Sequence, residues 1–160
     1  MKAKEIQGYY FEDFQMGDQF VSPGRTITEH DVMAFAGISG DYNQLHTDKK
    51  YAQGSLYGER IAHGLLGLCV VSGLASRLGL VEGTALAFRS LKWKFIAPIK
   101  FGDTIRAEFE VSRKKPLPGR GGGYLELKAA VYNQRDEAVQ GGSWALIVRS
   151  RERERSEEHT

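Results

Sequence analysis

The sequence predicts an α+β domain in which a curled antiparallel sheet wraps a long apolar helix. Two observations carry that expectation. Residues 63–79 place Leu65, Leu66, Leu68, Val70, Val71, Leu74, Ala75 and Leu78 all round a helical wheel, and a helix apolar on every side has to be enclosed by protein. The second half, from Ala85 onward, alternates apolar and polar residues with the two-residue period of strands. A chain of 160 residues suits one domain, taken as residues 1–150, followed by a charged tail at 151–160.

Taken in order, Asp18 to Ile27 reads as a strand interrupted by a Pro23-Gly24 turn or bulge. Thr28 and Asp31 then approximate a capping box, with Asp in place of Glu, at the head of a helix faced by Val32, Phe35 and Ala36. Gly37 and Gly40 end it. A polar loop begins at Asp41, and a short helix is expected near Asp48 to Gln53. After the long helix, Ala85 to Ile99 changes parity near Arg89 or Ser90, which calls for a bulge. Strands follow at Thr104 to Lys114, Tyr124 to Asn133 and Ala138 to Arg149, and their short connections imply a sequential meander. The Pro116–Gly123 segment is a hairpin tip; it lacks the Gly-Lys-Ser/Thr of a phosphate loop.

Composition excludes several classes. Hydrophobic residues make up 41% of the chain and 19 glycines accompany them, enough for a core. The 22 Lys and Arg against 20 Asp and Glu leave +2, too even for a protein built to coat nucleic acid. Removing the tail leaves residues 1–150 at +3, so the tail masks no strong field. One cysteine, Cys69, rules out an intrachain disulfide framework and reads as a small buried hydrophobe. Four widely spread histidines with it suggest no metal site. The most apolar run, Gly64 to Ala75, has 12 residues, short of the roughly 20 needed to span a membrane. A soluble, cytoplasmic domain is expected.

Chemistry concentrates in two polar clusters and one isolated hydroxyl. Asp41 and His46, five positions apart across a turn, could converge on one water as an acid–base pair. On spacing alone a simple turn, with Asp41 and Asn43 bonding backbone amides, explains them as well. In Gly58-Glu59-Arg60-Ile61-Ala62-His63-Gly64, the Gly64 amide at a helix head could stabilise a developing oxyanion; capping by His63 and close packing at Gly64 are the simpler account. Ser72 lies two i+4 steps beyond Gly64 and needs a hydrogen-bond partner if buried. Asp41 would serve, as would its own helix carbonyl at Leu68.

Together these clusters resemble the MaoC-like, (R)-specific enoyl-CoA hydratases. The resemblance rests on Gly40-Asp41-x-Asn43-x-x-His46, on Arg60-Ile61-Ala62-His63-Gly64 at the head of the apolar helix, and on two flanking segments, Tyr10 to Asp18 and Phe95 to Asp103. It runs from about Tyr9 to Val148. It implies a hot-dog fold, usually a homodimer or a dimer of dimers, acting on an acyl-CoA thioester without metal or organic cofactor. Asp41 and His46 would be the catalytic pair, Gly64 would polarise the thioester carbonyl, Ser72 would orient Asp41, and Asn43 would brace the loop. His63 and Asn43 would count among the substrate-binding residues, and Arg60, Arg89, Lys92 and Lys94 could meet the coenzyme A phosphates, although an ordinary solvated face is the simpler account of each cation. Members often carry Pro at the positions of Gln44 and Arg60. A hot-dog thioesterase and a non-catalytic thioester-binding subunit are the competing readings.

Overall fold

The computed structural model describes residues 6–151. The tail assigned to 151–160 therefore lies outside the described residues except for Arg151, whose guanidinium bonds both carboxylate oxygens of Asp13 at 2.7 Å. The elements are β1 (Gln19–Val21), β2 (Arg25–Thr26), α1 (Glu29–Ser39), α2 (Gln44–Thr47), α3 (Lys49–Gln53), α4 (Gly64–Arg77), β3 (Ala85–Phe95), β4 (Thr104–Leu117), β5 (Gly122–Tyr132) and β6 (Ala138–Arg149). All strand pairs are antiparallel.

Local chemistry sets the helix ends. Thr28 caps α1, its hydroxyl accepting from the Asp31 amide while the Asp31 carboxylate accepts from the Thr28 amide. This is the expected capping box with Asp in the reciprocal position. Gly40, at φ 76°, closes α1 in the left-handed conformation and donates its amide to Ala36, a backbone state that glycine reaches without a Cβ penalty.

The sheet corrects one expectation. Its order is β1-β4-β5-β6-β3, with β2 also on β4, so the meander covers only β4, β5 and β6. β3 pairs with β6 at the far edge, and register shifts between Ala85 and Ala87 and between Phe88 and Ser90 supply the expected bulge near Arg89. No hairpin joins β3 to β4, because the connecting segment is anchored elsewhere. Ile99 accepts from the Ala62 amide at 2.8 Å, Lys100 bridges to Ile61, and Gly102 donates to Ile27. These bonds carry the chain past the head of α4 to the opposite side of the sheet.

The sheet covers one side of α4, not all of it. Leu66, Val70, Val71 and Leu74 join Phe109, Val111, Leu125, Leu127 and Val131 in the core. The opposite face stays open: Leu65 is 58% exposed, and Cys69 and Ser72 are exposed as well. Cys69 is thus not the buried hydrophobe expected from its neighbours, because one sheet can wrap only the stripe that faces it.

The covered stripe needs a glycine at one point. A Cβ on Gly67 would fall on the Gln140 amide nitrogen and lie 2.8 Å from Ile99 Cδ1. Gln140, 2% exposed, uses that nitrogen to bond the Gly64 carbonyl at 2.9 Å, and its oxygen accepts from the Trp93 indole at 3.0 Å. Gly67→Ala gains about 1 kcal/mol in helix propensity, but overpacking costs about 1–3 kcal/mol and the lost Gln140 bond about 1 more. A net destabilisation of about 1–3 kcal/mol is expected by denaturant unfolding; a Gly67→Ala protein as stable as the parent would contradict this packing.

Candidate active site

The site is assembled where the end of α1 meets the head of α4. Beyond the Gly40 cap, Asp41 donates its amide to Ser39 Oγ at 3.1 Å and accepts from the Asn43 amide at 3.1 Å. Asn43 then caps α2, its side-chain oxygen accepting from Leu45 at 2.9 Å. Thr47 fastens the turn from the other side, its hydroxyl lying 3.1 Å from the carbonyls of both Tyr42 and Asn43. The bracing role expected of Asn43 has this concrete form. α2 lies where a polar loop is expected from sequence, because four residues are too few for a periodic pattern.

α2 presents His46 toward the segment before α4. The ring nitrogen Nδ1 lies 2.7 Å from the Ile61 carbonyl. A carbonyl only accepts, so Nδ1 carries the proton and Nε2 is left with a free lone pair. The Ile61 amide returns a bond to Leu45 at 3.3 Å, which pins α2 at two points.

His63 makes the matching contact from the other side. It is 2% exposed, and its Nε2 donates to the Asp41 carbonyl at 2.8 Å. Its ring stacks on His46 with centroids 3.8 Å apart and planes 31° apart, and meets Phe35 of α1 at 4.9 Å. Its Nδ1 is buried with no partner among the described residues. Burial pushes the His63 imidazole below its ordinary value; the bond to Asp41 opposes this, and His46 adds to it. His63 holds the N-cap position of α4 through its backbone, with no side-chain capping bond, and its buried ring offers no surface for the substrate contact expected of it.

Asp41, His46 and His63 each bring one donor atom within 4.8 Å of the others, although the histidines are far apart in sequence. Each ring has committed one nitrogen to a backbone carbonyl. Each ring keeps its other nitrogen, and two imidazoles with a carboxylate have the composition of a cation site as well as of a water site. The spacing of Asp41 and His46 suits a shared water. Gly64, next to His63, is the first residue of α4; its amide has no acceptor within the helix and none elsewhere among the described residues. Gly64 lines a cavity of about 460 Å³ together with Tyr57, Leu65, Phe95, Ile96 and Pro98 among others.

Other expected site residues lie elsewhere. The Ser72 hydroxyl donates to its own helix at Cys69, 2.7 Å away. Eight residues of helical rise put it about 12 Å from Gly64, so it does not touch Asp41 within this chain. Arg60 is occupied by Glu29 at 2.8 Å and lies 4.9 Å over the Phe101 ring. Arg89, Lys92 and Lys94 are exposed on β3 and form no ion pair among the described residues. Gln140, which fixes the Gly64 carbonyl, is the residue that sequence reasoning missed. The available signal was a polar side chain at the same strand parity as the buried Trp144, Leu146 and Val148.

Two outcomes are expected. Gln44 opens α2, its amide has no acceptor among the described residues, and Asn43 before it has φ −52° and ψ 138°, a conformation that tolerates a following proline. Gln44→Pro should therefore raise stability by about 0.4–1 kcal/mol in thermal melts, and a lowered melting temperature would contradict the loop geometry. His63 has a depressed value when folded, and the titratable groups facing it are His46 and Asp41. Its contribution is complete above the ordinary value of 6.5 and is lost as pH falls from there through the lower folded value. The melting temperature of wild type should drop more steeply from pH 7 to 5 than that of His63→Gln; parallel curves would refute the burial of a neutral ring.

The comparisons with known proteins bear on the family and the fold. The MaoC like domain family matches residues 13–123. An (R)-specific enoyl-CoA hydratase of Rhodospirillum rubrum is 38% identical over 117 residues, covering 72% of this chain and 78% of that protein. Protein MaoC of Klebsiella aerogenes is 39% identical over 105 residues, but these cover 66% of this chain and only 31% of that protein, so the chain spans about a third of its length. The X-ray structure of a monoamine oxidase regulatory protein from Archaeoglobus fulgius superposes with a TM-score of 0.84 at 33% identity, covering 90% of this chain and 96% of the other. A Mycobacterium tuberculosis protein with a double hot-dog fold, 23% identical, superposes at 0.74 over 92% of this chain and 46% of its own, which speaks for the fold alone. Among the described residues no helix is long and apolar enough to cross a membrane. The chain belongs to the MaoC-like domain family and has its hot-dog fold.

Proposed function

We propose that this chain reversibly hydrates a trans-2-enoyl-CoA to the (R)-3-hydroxyacyl-CoA, in the cytoplasm, with coenzyme A as part of the substrate and no further cofactor. The observation that carries the reading is His46 held with Nδ1–H on Ile61, which leaves Nε2 as the base, and with a ring nitrogen within 4.8 Å of an Asp41 carboxylate oxygen. Family membership and the hydratase named among the relatives support it.

In the hydration direction, His46 Nε2 takes a proton from water as the water oxygen bonds to C3 of the enoyl group. The C2=C3 electron pair moves toward the thioester oxygen, where the Gly64 amide at the positive end of α4 stabilises the enolate-like charge. The proton passes from His46 to Asp41, and from its carboxyl to C2 as the carbonyl re-forms. Both side chains return to their starting states, and one water has been added. The apolar cavity beside Gly64 takes the adjoining part of the thioester.

A homodimer is part of the same proposal. β3 is an eleven-residue edge strand with one side unpaired, and Leu86, Phe88, Leu91 and Phe95 on it are all more than 40% exposed. Such an edge invites pairing, and a second copy offers a matching one. The free cations Arg89, Lys92 and Lys94 on this strand are assigned to the coenzyme A phosphates.

Crotonyl-CoA should lose its enoyl absorbance without thiol release. Asp41→Asn and His46→Gln should each lower kcat by about two to four orders of magnitude in folded protein. Release of free thiol would turn the assignment to a thioesterase, and a well-folded Asp41→Asn protein with near-normal turnover would remove Asp41 from the mechanism.

A further inference from the structure

We propose that His63 is a positioning residue of this reaction: its buried imidazole latches the Asp41 backbone and backs the His46 ring, at the residue whose carbonyl opens the helix carrying Gly64. The inference rests on the hydratase reading and assigns His63 a task other than touching the substrate.

Burial excludes contact with a bound thioester, since His63 is 2% exposed. Its three attachments reach all three proposed reactive groups. Nε2–H holds the Asp41 carbonyl at 2.8 Å, the ring lies 3.8 Å from that of His46, and the His63 carbonyl accepts from Gly67 at 3.2 Å at the turn that begins with Gly64. Phe35 closes the other side at 4.9 Å, so the ring is held from both directions.

The tautomer follows from the contacts. Because Nε2 donates to a carbonyl, the neutral ring has its lone pair on Nδ1, which is buried without a partner. A proton added there would find no acceptor and would face His46. His63 therefore remains neutral while His46 takes up the water proton. The transient imidazolium meets an uncharged aromatic face, which attracts a cation. A second cation at 3.8 Å would repel it.

Two substitutions separate the latch from simple filling of space. His63→Phe keeps a ring against His46 and Phe35 but leaves the Asp41 carbonyl unbonded. His63→Gln loses the ring but can donate from a position near that of Nε2. With crotonyl-CoA and variants of matched folded fraction, His63→Phe should lower kcat by roughly tenfold to a hundredfold, because small misplacement of reacting groups has large kinetic effects. Its KM should change less than about twofold, and His63→Gln should recover most of kcat. Amide hydrogen exchange at Asn43, Leu45 and His46 should accelerate in His63→Phe and stay near wild type in His63→Gln.

Wild-type kcat in His63→Phe would overturn the proposal. So would equal losses in the two variants with unchanged exchange at those amides. If the wild-type chain hydrates no enoyl thioester, the functional reading fails by itself. The exchange comparison then still decides whether His63 holds the loop: unchanged rates in His63→Phe overturn the latch, and accelerated rates sustain it.

Discussion

Two hydrogen bonds from imidazole nitrogens to backbone carbonyls, His46 to Ile61 and His63 to Asp41, join α2 and the Asp41 turn to the segment that leads into α4. Each bond also selects a tautomer, since a carbonyl cannot donate. The free nitrogen of His46 is therefore determined by the path of residues 61–63, and the position of Asp41 by the ring of His63. The two rings then stack, which makes the bonds mutually dependent. Displacing one imidazole moves the surface against which the other rests.

Those carbonyls have to be held as firmly as the side chains they receive. Ile61 is held by its bridge to Lys100 and by its amide bond to Leu45. The Asp41 backbone is held by the end of α1, where the Gly40 cap and the Ser39 hydroxyl fix the chain direction. The segment between β3 and β4 thus has a task beyond connection. Because it runs past the head of α4 instead of turning back as a hairpin, it supplies the Ile99 carbonyl and the Lys100 bridge that hold residues 61 and 62. The departure from a simple meander is the structural condition for the site. Gln140 completes the arrangement from β6 by bonding the Gly64 carbonyl, and Gly67 leaves room for it.

The legible parts of this design are the local ones. The capping box at Thr28, the bulge near Arg89 and the turn that brings Asp41 and His46 together lie within short sequence windows, where spacing limits geometry. The strand neighbour of β3 was not legible, because pairing β3 with β6 spans about fifty residues and depends on where the intervening segment is tied. Cys69 and Ser72 were misjudged for a related reason. An all-round apolar helix states that burial is needed but not by what, and here the described sheet covers one face. The open face of α4 and the unpaired edge of β3 are where a second chain could provide the rest. His63 was visible in sequence as part of a motif, yet its task depends on contacts across 22 residues to Asp41 and 17 to His46.

Reliance on backbone acceptors also explains why the loop tolerates the residues it has at Gln44 and Arg60. A substitution cannot remove a main-chain carbonyl; it can only move it. Gln44 contributes its carbonyl to the Asp48 amide at 3.0 Å, which does not depend on the side chain. Arg60 acts in the opposite sense: its pair with Glu29 and its contact with Phe101 tie the chain beside Ile61 to α1 and to the β3–β4 connection. A proline there would stiffen the backbone directly, whereas Arg60 restrains it through side-chain contacts. At 20% side-chain exposure, the guanidinium is partly shielded from water, so its pairing with Glu29 is screened less than that of a fully exposed pair. The guanidinium that could have faced coenzyme A is thereby engaged by Glu29 and Phe101, on the residue next to the one whose carbonyl receives His46.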